Sequence, residues 1–327
     1  MVRLGSLAAR SRGFQIVAPA VAASGLFAAP GAPGRSFFWH APVALARQRV
    51  AAPRPGEFRA RSSAPGRGEA QAAFVYSSGS AMIPSITKTN GGEDAFFIAE
   101  GQGGGGAYGV GVADGVGGWA EVGIDPGIYA RALMAEAKAA AGLEDRDDPD
   151  PLRVLKTAAA KTEGTLGGST CCVLLFCRDQ LRAANLGDSS FLVIRDGEVV
   201  FKSEQQQHSF NFPYQLCGQK KYSDDPDSAE VFVLNVEAGD IVVCGTDGLF
   251  DNMYTEEILG LVNDSGDSKG SNADLAQAIA EKAIQNAQDK TRVVPWTEEA
   301  MKIGYYTGGG GKMDDVTVVV TNIGLAT

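Results

Sequence analysis

The chain has 327 residues, 44% of them apolar, five Cys and a formal charge of −10. That length allows one large domain or two small ones, and the apolar share is ordinary for a soluble globular protein. The charge is unevenly divided: residues 1–70 hold ten Arg, no Lys and only Glu57 and Glu69 as acids, about +8, which leaves about −18 on residues 71–327 and argues against nucleic acid as a partner.

Residues 1–70 are rich in Arg, Ala, Pro and Ser and poor in acids, the composition of an organelle-targeting leader. The expected division is therefore a leader over 1–70 and a folded domain over 71–327. The apolar run from Phe14 to Ala29 is broken by Pro19 and ended by Pro30. It is too short to span a membrane but fits the apolar part of a signal ahead of a transit peptide. No other stretch approaches spanning length, so membrane insertion is not expected. The cysteines, at 171, 172, 177, 217 and 244, are odd in number and form no C-x-x-C. They read as buried thiols rather than a disulfide framework or a zinc site.

Along the domain, Phe74–Met82 reads as a first strand. Asp94–Ala99 and Ala107–Ala113 read as a hairpin turned by Gly103–Gly106. Asp125-Pro126 is a helix start, and the helix runs to a stop at Gly142. A second helix follows over 151–163, behind the acidic loop 144–150. Thr170–Cys177, Gln180–Leu186, Phe191–Arg195 and Glu198–Lys202 read as strands, with Asp196-Gly197 as a type I′ turn. Residues 203–229 are polar and irregular. Strands resume at Glu230–Val236 and Asp240–Gly245, helices at Thr255–Val262 and Asn272–Gln288, and a last strand spans Val316–Asn322. The acidic stretch 264–274 lacks the ligand spacing of a calcium loop. Antiparallel strands interrupted by helix pairs predict an α+β fold: a β-sandwich with helices on its outer faces.

The chemistry lies in acids placed at strand ends. Glu93-Asp94 opens one strand, Asp114 ends the next, Asp188 ends LRAANLG, Asp247 ends IVVCGT, and Asp314-Asp315 opens VTVVV. One such acid is ordinarily a turn acid accepting backbone hydrogen bonds. Five in one domain point to a rim where carboxylates would repel each other unless cations lie among them. Oxygen ligands alone call for hard ions, Mg²⁺ or Mn²⁺. Gly115 and Gly248, following two of the acids, allow close backbone approach, and the Gly115 carbonyl is itself a possible ligand.

The segments GGEDAFF (91–97), VADGVGGW (112–119), NLGDSS (185–190), GTDGLFDN (245–252) and GKMDDVTVVV (311–320) together resemble the PPM family, the metal-dependent protein phosphatases of type 2C. The wording DGVGGWAE, QQQHSFNFPYQL and GGKMDDVTVVV is closer to its organellar branch, which includes plant photosystem II core phosphatase and mitochondrial relatives. The resemblance implies a four-layer αββα sandwich and hydrolysis of phosphoserine and phosphothreonine by a water bridging two Mn²⁺ or Mg²⁺ ions. In that scheme Asp114 bridges both ions, and Asp94 and the Gly115 carbonyl serve one. Asp247 and Asp314 complete the other, and Glu93 holds metal-bound water. Asp188, with Asp247, matches a position for a third, weaker ion. The implied partner is a phosphoprotein, the implied state a monomer, and the implied place a plastid or mitochondrion after loss of the leader.

This chain departs from the family pattern at named places. Val116 stands where the family often has a His proposed as general acid, Asp315 where it has Asn, and Ser190 where it has Arg. Lys88 is the nearest cation to the expected place of a phosphate-binding Arg. His208 is the candidate substitute proton donor, against the alternative that it orders its loop. Two rival readings are a catalytically weak pseudophosphatase or binding module that keeps the fold, and a hydrolase of small phosphoesters.

Overall fold

The computed structural model describes residues 73–88, 91–100, 106–266, 270–305 and 308–326. The leader over 1–70, the turn glycines 103–105 and part of the 264–274 loop lie outside the described residues. In chain order the first elements are β1 (Phe74–Ile83), β2 (Asp94–Ala99), β3 (Tyr108–Asp114), α1 (Pro126–Ala141) and α2 (Pro151–Lys161). Next come β4 (Gly168–Ser169), β5 (Cys171–Cys177), β6 (Gln180–Leu186), β7 (Ser190–Arg195) and β8 (Glu198–Lys202). The polar stretch holds β9 (Gln207–Ser209), β10 (Phe212–Pro213) and β11 (Leu216–Cys217). The remainder is β12 (Glu230–Asn235), β13 (Ile241–Gly245), α3 (Asp247–Phe250), α4 (Thr255–Gly266), α5 (Asn272–Gln288), α6 (Pro295–Lys302) and β14 (Val316–Leu325).

Two five-stranded sheets form the centre, in the orders β1-β14-β13-β7-β8 and β12-β6-β5-β3-β2. Neighbouring strands in both are antiparallel. The period-2 alternation of side chains explains why β5, CCVLLFC, is buried throughout. Cys171, Val173 and Leu175 join the cluster formed with α1 and α2. Cys172, Leu174 and Phe176 join the cluster between the sheets, with Val193, Val242, Cys244 and Val319 of the facing sheet. On the far side, Val316, Val318 and Val320 of β14 pack with Ala276, Ile279 and Ala283 of α5. The layers are therefore helix, sheet, sheet, helix, the sandwich expected from the sequence. Leu174 is wholly buried, so truncating it to Ala would cost about 2–5 kcal/mol.

Local chemistry sets the element ends. The Asp125 side chain accepts from Gly127 N to cap α1, and Asp150 accepts from Leu152 N and Arg153 N to cap α2. Pro follows each cap at the first helical position. Asp196 and Gly197 both have positive φ, 50° and 77°, as the type I′ turn between β7 and β8 requires. All five Cys are buried with free thiols. Among the described residues, no helix is long and apolar enough to cross a membrane.

Candidate metal centre

The two sheets bring their acids to one rim. Asp94, the first residue of β2, faces Asp114, the last of β3. In the other sheet, β13 pairs with β14. Thr246 and then Asp247 follow β13 at the start of α3, and Asp314-Asp315 immediately precede β14. Hydroxyls tie the rims together: Thr246 Oγ1 and Thr317 Oγ1 donate to Asp94 Oδ2 at 2.8 and 2.7 Å. One carboxylate oxygen each from Asp114, Asp247 and Asp314 then lies within 4.8 Å of the others.

The fields at these groups show how crowded the rim is. Burial, followed by the charges of Asp247, Asp94 and Asp314, pushes Asp114 well above the ordinary carboxylate range. Burial and then Asp315 push Asp94 up to about 8. Burial and then Asp247 push Asp188 up to about 7. Asp314 goes the other way: burial opposes its charge, but Lys312 and Lys88 hold it below the ordinary value. Lys88 is 2.7 Å from Glu93, 2.8 Å from Asp314 and 2.9 Å from Asp315. Burial works against its ammonium, but these acids outweigh it and hold the proton on.

The donors fit a hard divalent cation. Asp94 Oδ1, Asp188 Oδ1 and Asp247 Oδ1 are buried and have no hydrogen-bond partner in the protein. Buried carboxylate oxygens are ordinarily satisfied, and a positive ion is the counterpart that several converging ones require. Every donor is oxygen, which selects Mg²⁺ or Mn²⁺ over soft metals.

The other predicted residues are placed as follows. Gly115 donates its N–H to the Glu93 carbonyl at 3.2 Å. A Cβ there would sit 2.7 Å from that carbonyl oxygen and 2.9 Å from Pro126 C, so only glycine permits the approach. Asp188 lies between β6 and β7, where its Oδ2 accepts from Gln207 at 2.9 Å and its carbonyl from Gln205 at 2.8 Å. His208, next along β9, pairs with Asp224 at 2.9 Å and stacks on Tyr214 with ring centres 4.0 Å apart. Trp119 packs edge-on against Tyr222 and donates to Gln215.

Sequence reasoning missed four contributors. Asp251, one helical turn after Asp247, is 9% exposed and lies 3.4 Å from Lys312. The i, i+4 spacing from Asp247 was its signal. Lys312 hydrogen-bonds Asp247 and lies 3.2 Å from Asp314. Thr317 was visible only as a strand residue and Thr246 only as the residue after a strand.

A family model described as Stage II sporulation protein E matches residues 104–323. The Arabidopsis thaliana "Probable protein phosphatase 2C 55" is 46% identical over 249 residues, covering 75% of this chain and 51% of that protein. The human "Protein phosphatase PTC7 homolog" is 38% identical over 214 residues, covering 60% of this chain and 69% of that protein. The chain spans about half the length of the first of these relatives. Among solved structures, photosystem II phosphatase PBCP is 33% identical, with a TM-score of 0.67 over 76% of this chain and 98% of that one. The catalytic domain of the serine threonine protein phosphatase PstP, solved with two manganese ions, shares the fold at 18% identity and a TM-score of 0.53, over 77% of this chain and 99% of that one.

Proposed function

Since this chain belongs to the protein phosphatase 2C family, we propose that it removes phosphate from phosphoserine and phosphothreonine in proteins, using two Mn²⁺ or Mg²⁺ ions. The observation that carries the reading is the convergence of Asp114, Asp247 and Asp314 to within 4.8 Å, beside buried carboxylate oxygens left without partners. In this reading Asp114 would serve both ions, Asp94 and the Gly115 carbonyl would hold one, and Asp247 and Asp314 would hold the other. Two such ions supply an activated water and positive charge toward the phosphoryl oxygens.

The protein's own part is positioning. Thr246 and Thr317 fix Asp94 by donating to one of its oxygens, which leaves the other free to bind. Lys88 pairs with Glu93 at 2.7 Å, and in this reading the Glu93 carboxylate would accept from water at the site. Val116 cannot supply a proton to the departing oxygen, and the His208 ring is engaged by Asp224. Water is then the proton source for the leaving group. Deprotonated Ser and Thr hydroxyls are poor leaving groups, so this step sets the rate in the proposal.

The relatives' names support a protein substrate: "protein phosphatase" recurs among them. We place the protein in a plastid or mitochondrion as a monomer, with residues 1–70 as a removed leader and the catalytic domain over 71–327. The Arg-rich, acid-poor composition of 1–70 supports that division.

The test is phosphate release from phosphoserine and phosphothreonine peptides with Mn²⁺, Mg²⁺ or chelator, beside small phosphoesters and the Asp247→Ala variant. Activity that needs the metal, prefers the peptides and falls by at least about 10³-fold in the variant is expected. Metal binding without turnover would make the chain a binding module. Activity surviving Asp247→Ala would refute the ligand assignment.

A further inference from the structure

Three aromatic rings from two distant stretches of the chain meet at the surface. Phe210 lies in the tight turn between β9 and β10, Trp296 in the first turn of α6, and Tyr305 just beyond that helix. The Phe210 ring centre is 5.7 Å from each of the other two, and Trp296 and Tyr305 meet edge to face at 6.5 Å. Rings at such separations attract one another. Tyr305 is 71% exposed, and Phe210 and Trp296 are half-buried. The cluster therefore presents apolar surface to water, the kind of patch that large ring side chains form where a partner is to be bound.

Both ends of the cluster are tied to acids of the rim. On one side Gln207 donates to Asp188 Oδ2 at 2.9 Å, and its own side-chain oxygen accepts from Asn211 N at 3.1 Å. That pair of bonds closes the turn carrying Phe210 and fixes it to Asp188. On the other side Trp296 N donates to the Asp251 carbonyl at 3.0 Å. The helix itself docks through its buried residues Thr297 and Ala300 rather than through Trp296.

This location selects the occupant. A phosphorylated side chain held at the metal centre keeps its own polypeptide beside the rim, and an extended chain advances only about 3.5 Å per residue. The neighbours of the phosphorylated residue are thus the groups that pass a patch anchored to Asp188 and Asp251. Resting on the phosphatase reading above, we propose that Phe210, Trp296 and Tyr305 form a subsite for an apolar side chain of the substrate protein, one or two residues from its phosphoserine or phosphothreonine. The rings take no part in the chemistry. They set which phosphoproteins bind well.

The experiment is steady-state dephosphorylation of phosphothreonine peptides by the full chain with Mn²⁺. The peptides carry Phe, Ser or Arg, one change at a time, at the two positions on either side of the phosphothreonine. At one of these positions wild type should favour Phe over Ser by on the order of 10-fold in kcat/KM, the scale of partly burying one apolar side chain, and the gain should lie in KM. Tyr305→Ser and Phe210→Ser should remove that preference, and Tyr305→Phe should keep it. A wild type that treats Phe and Ser alike at every position would overturn the proposal, even should no variant fold. A preference for Arg would overturn it too. So would folded Tyr305→Ser and Phe210→Ser variants that keep the wild-type ratio between the Phe and Ser peptides, which would leave the rings as a clasp for the β9–β10 turn. In each of these cases the phosphatase reading stands. No turnover of any phosphopeptide with Mn²⁺ would overturn both.

Discussion

Asp315, where the family has Asn, offers a sharp test of how the rim is assembled. Its side chain is 1% exposed and accepts from Ser85 N at 2.7 Å, Glu93 N at 2.6 Å and Lys88 Nζ at 2.9 Å. It thereby pins the segment between β1 and β2 to the start of β14. In Asp315→Ala, Lys88 keeps Glu93 and Asp314 as partners. The cost therefore comes chiefly from two backbone donors, at the buried residues Ser85 and Glu93, left without acceptors. At about 1–3 kcal/mol for each buried unsatisfied group, the loss is about 2–6 kcal/mol. For a domain of this size about 2–4 °C accompanies each kcal/mol, so the melting temperature should fall by roughly 10 °C. Asp315→Asn keeps one carbonyl oxygen to accept from one amide and should lose about half as much. Calorimetric melts in chelator isolate this effect from metal binding. A shift below about 2 °C for Asp315→Ala would show that the segment is held by something else.

The pH dependence follows from the crowded acids. Asp94 and Asp188, at about 8 and about 7, sit far above their unfolded values near 4. Their contribution to metal-free stability is thus complete below about pH 4 and is lost as pH rises through about 7–8. The metal-free protein should melt lower at pH 8.5 than at pH 6, while Mn²⁺, which binds the deprotonated groups, should reverse the trend. Chelator melts that rise over that interval would contradict it. His208→Ala should change kcat by no more than about 3-fold, since the ring's partners are Asp224 and Tyr214. A loss of about 10²-fold or more would make it the proton donor. Gly248→Ala should fail to accumulate as folded protein, because the new Cβ would overlap the Asp315 carbonyl oxygen. Circular dichroism of the purified variant checks this.

What the sequence disclosed and what it hid follow from the range of the forces involved. The strands were legible because short apolar runs bounded by turn residues are local signals: β2 and β6 fall where such runs put them. Capping was equally local, and Asp125-Pro126 marked α1 from the sequence alone. Asp150-Pro151 carried the same signal for α2, whose start the sequence reading placed at Pro151. The short pieces β9, β10 and β11 have too few residues for any period to show. Their anchors, Gln205 and Gln207 on Asp188, are contacts with another segment. Helix α6 was lost for a similar reason. Pro295 opens it, yet only Thr297 and Ala300 are buried, so no apolar stripe marks it.

Asp94, Asp114, Asp188, Asp247 and Asp314 were legible because each lies at or within two residues of a strand end, and antiparallel pairing then carries strand ends to a common rim. Asp94 opposite Asp114 is the direct product of the β2–β3 register. The cations were not legible by that route. Lys312 in a glycine-rich stretch has the composition of a solvated loop, and no residue nearby in sequence contradicts that. Its role depends on Asn252, 60 positions earlier, and on the absence of a side chain at Gly311. Charge balance offers the more general lesson. Asp94, Asp114, Asp188, Asp247, Asp251, Asp314 and Asp315 could not all ionise on one rim without positive charge among them. Counting these seven acids and Glu93 against two expected divalent ions leaves four negative charges to be met from within the chain. Lys88 and Lys312, both directed at those acids, meet half of that requirement.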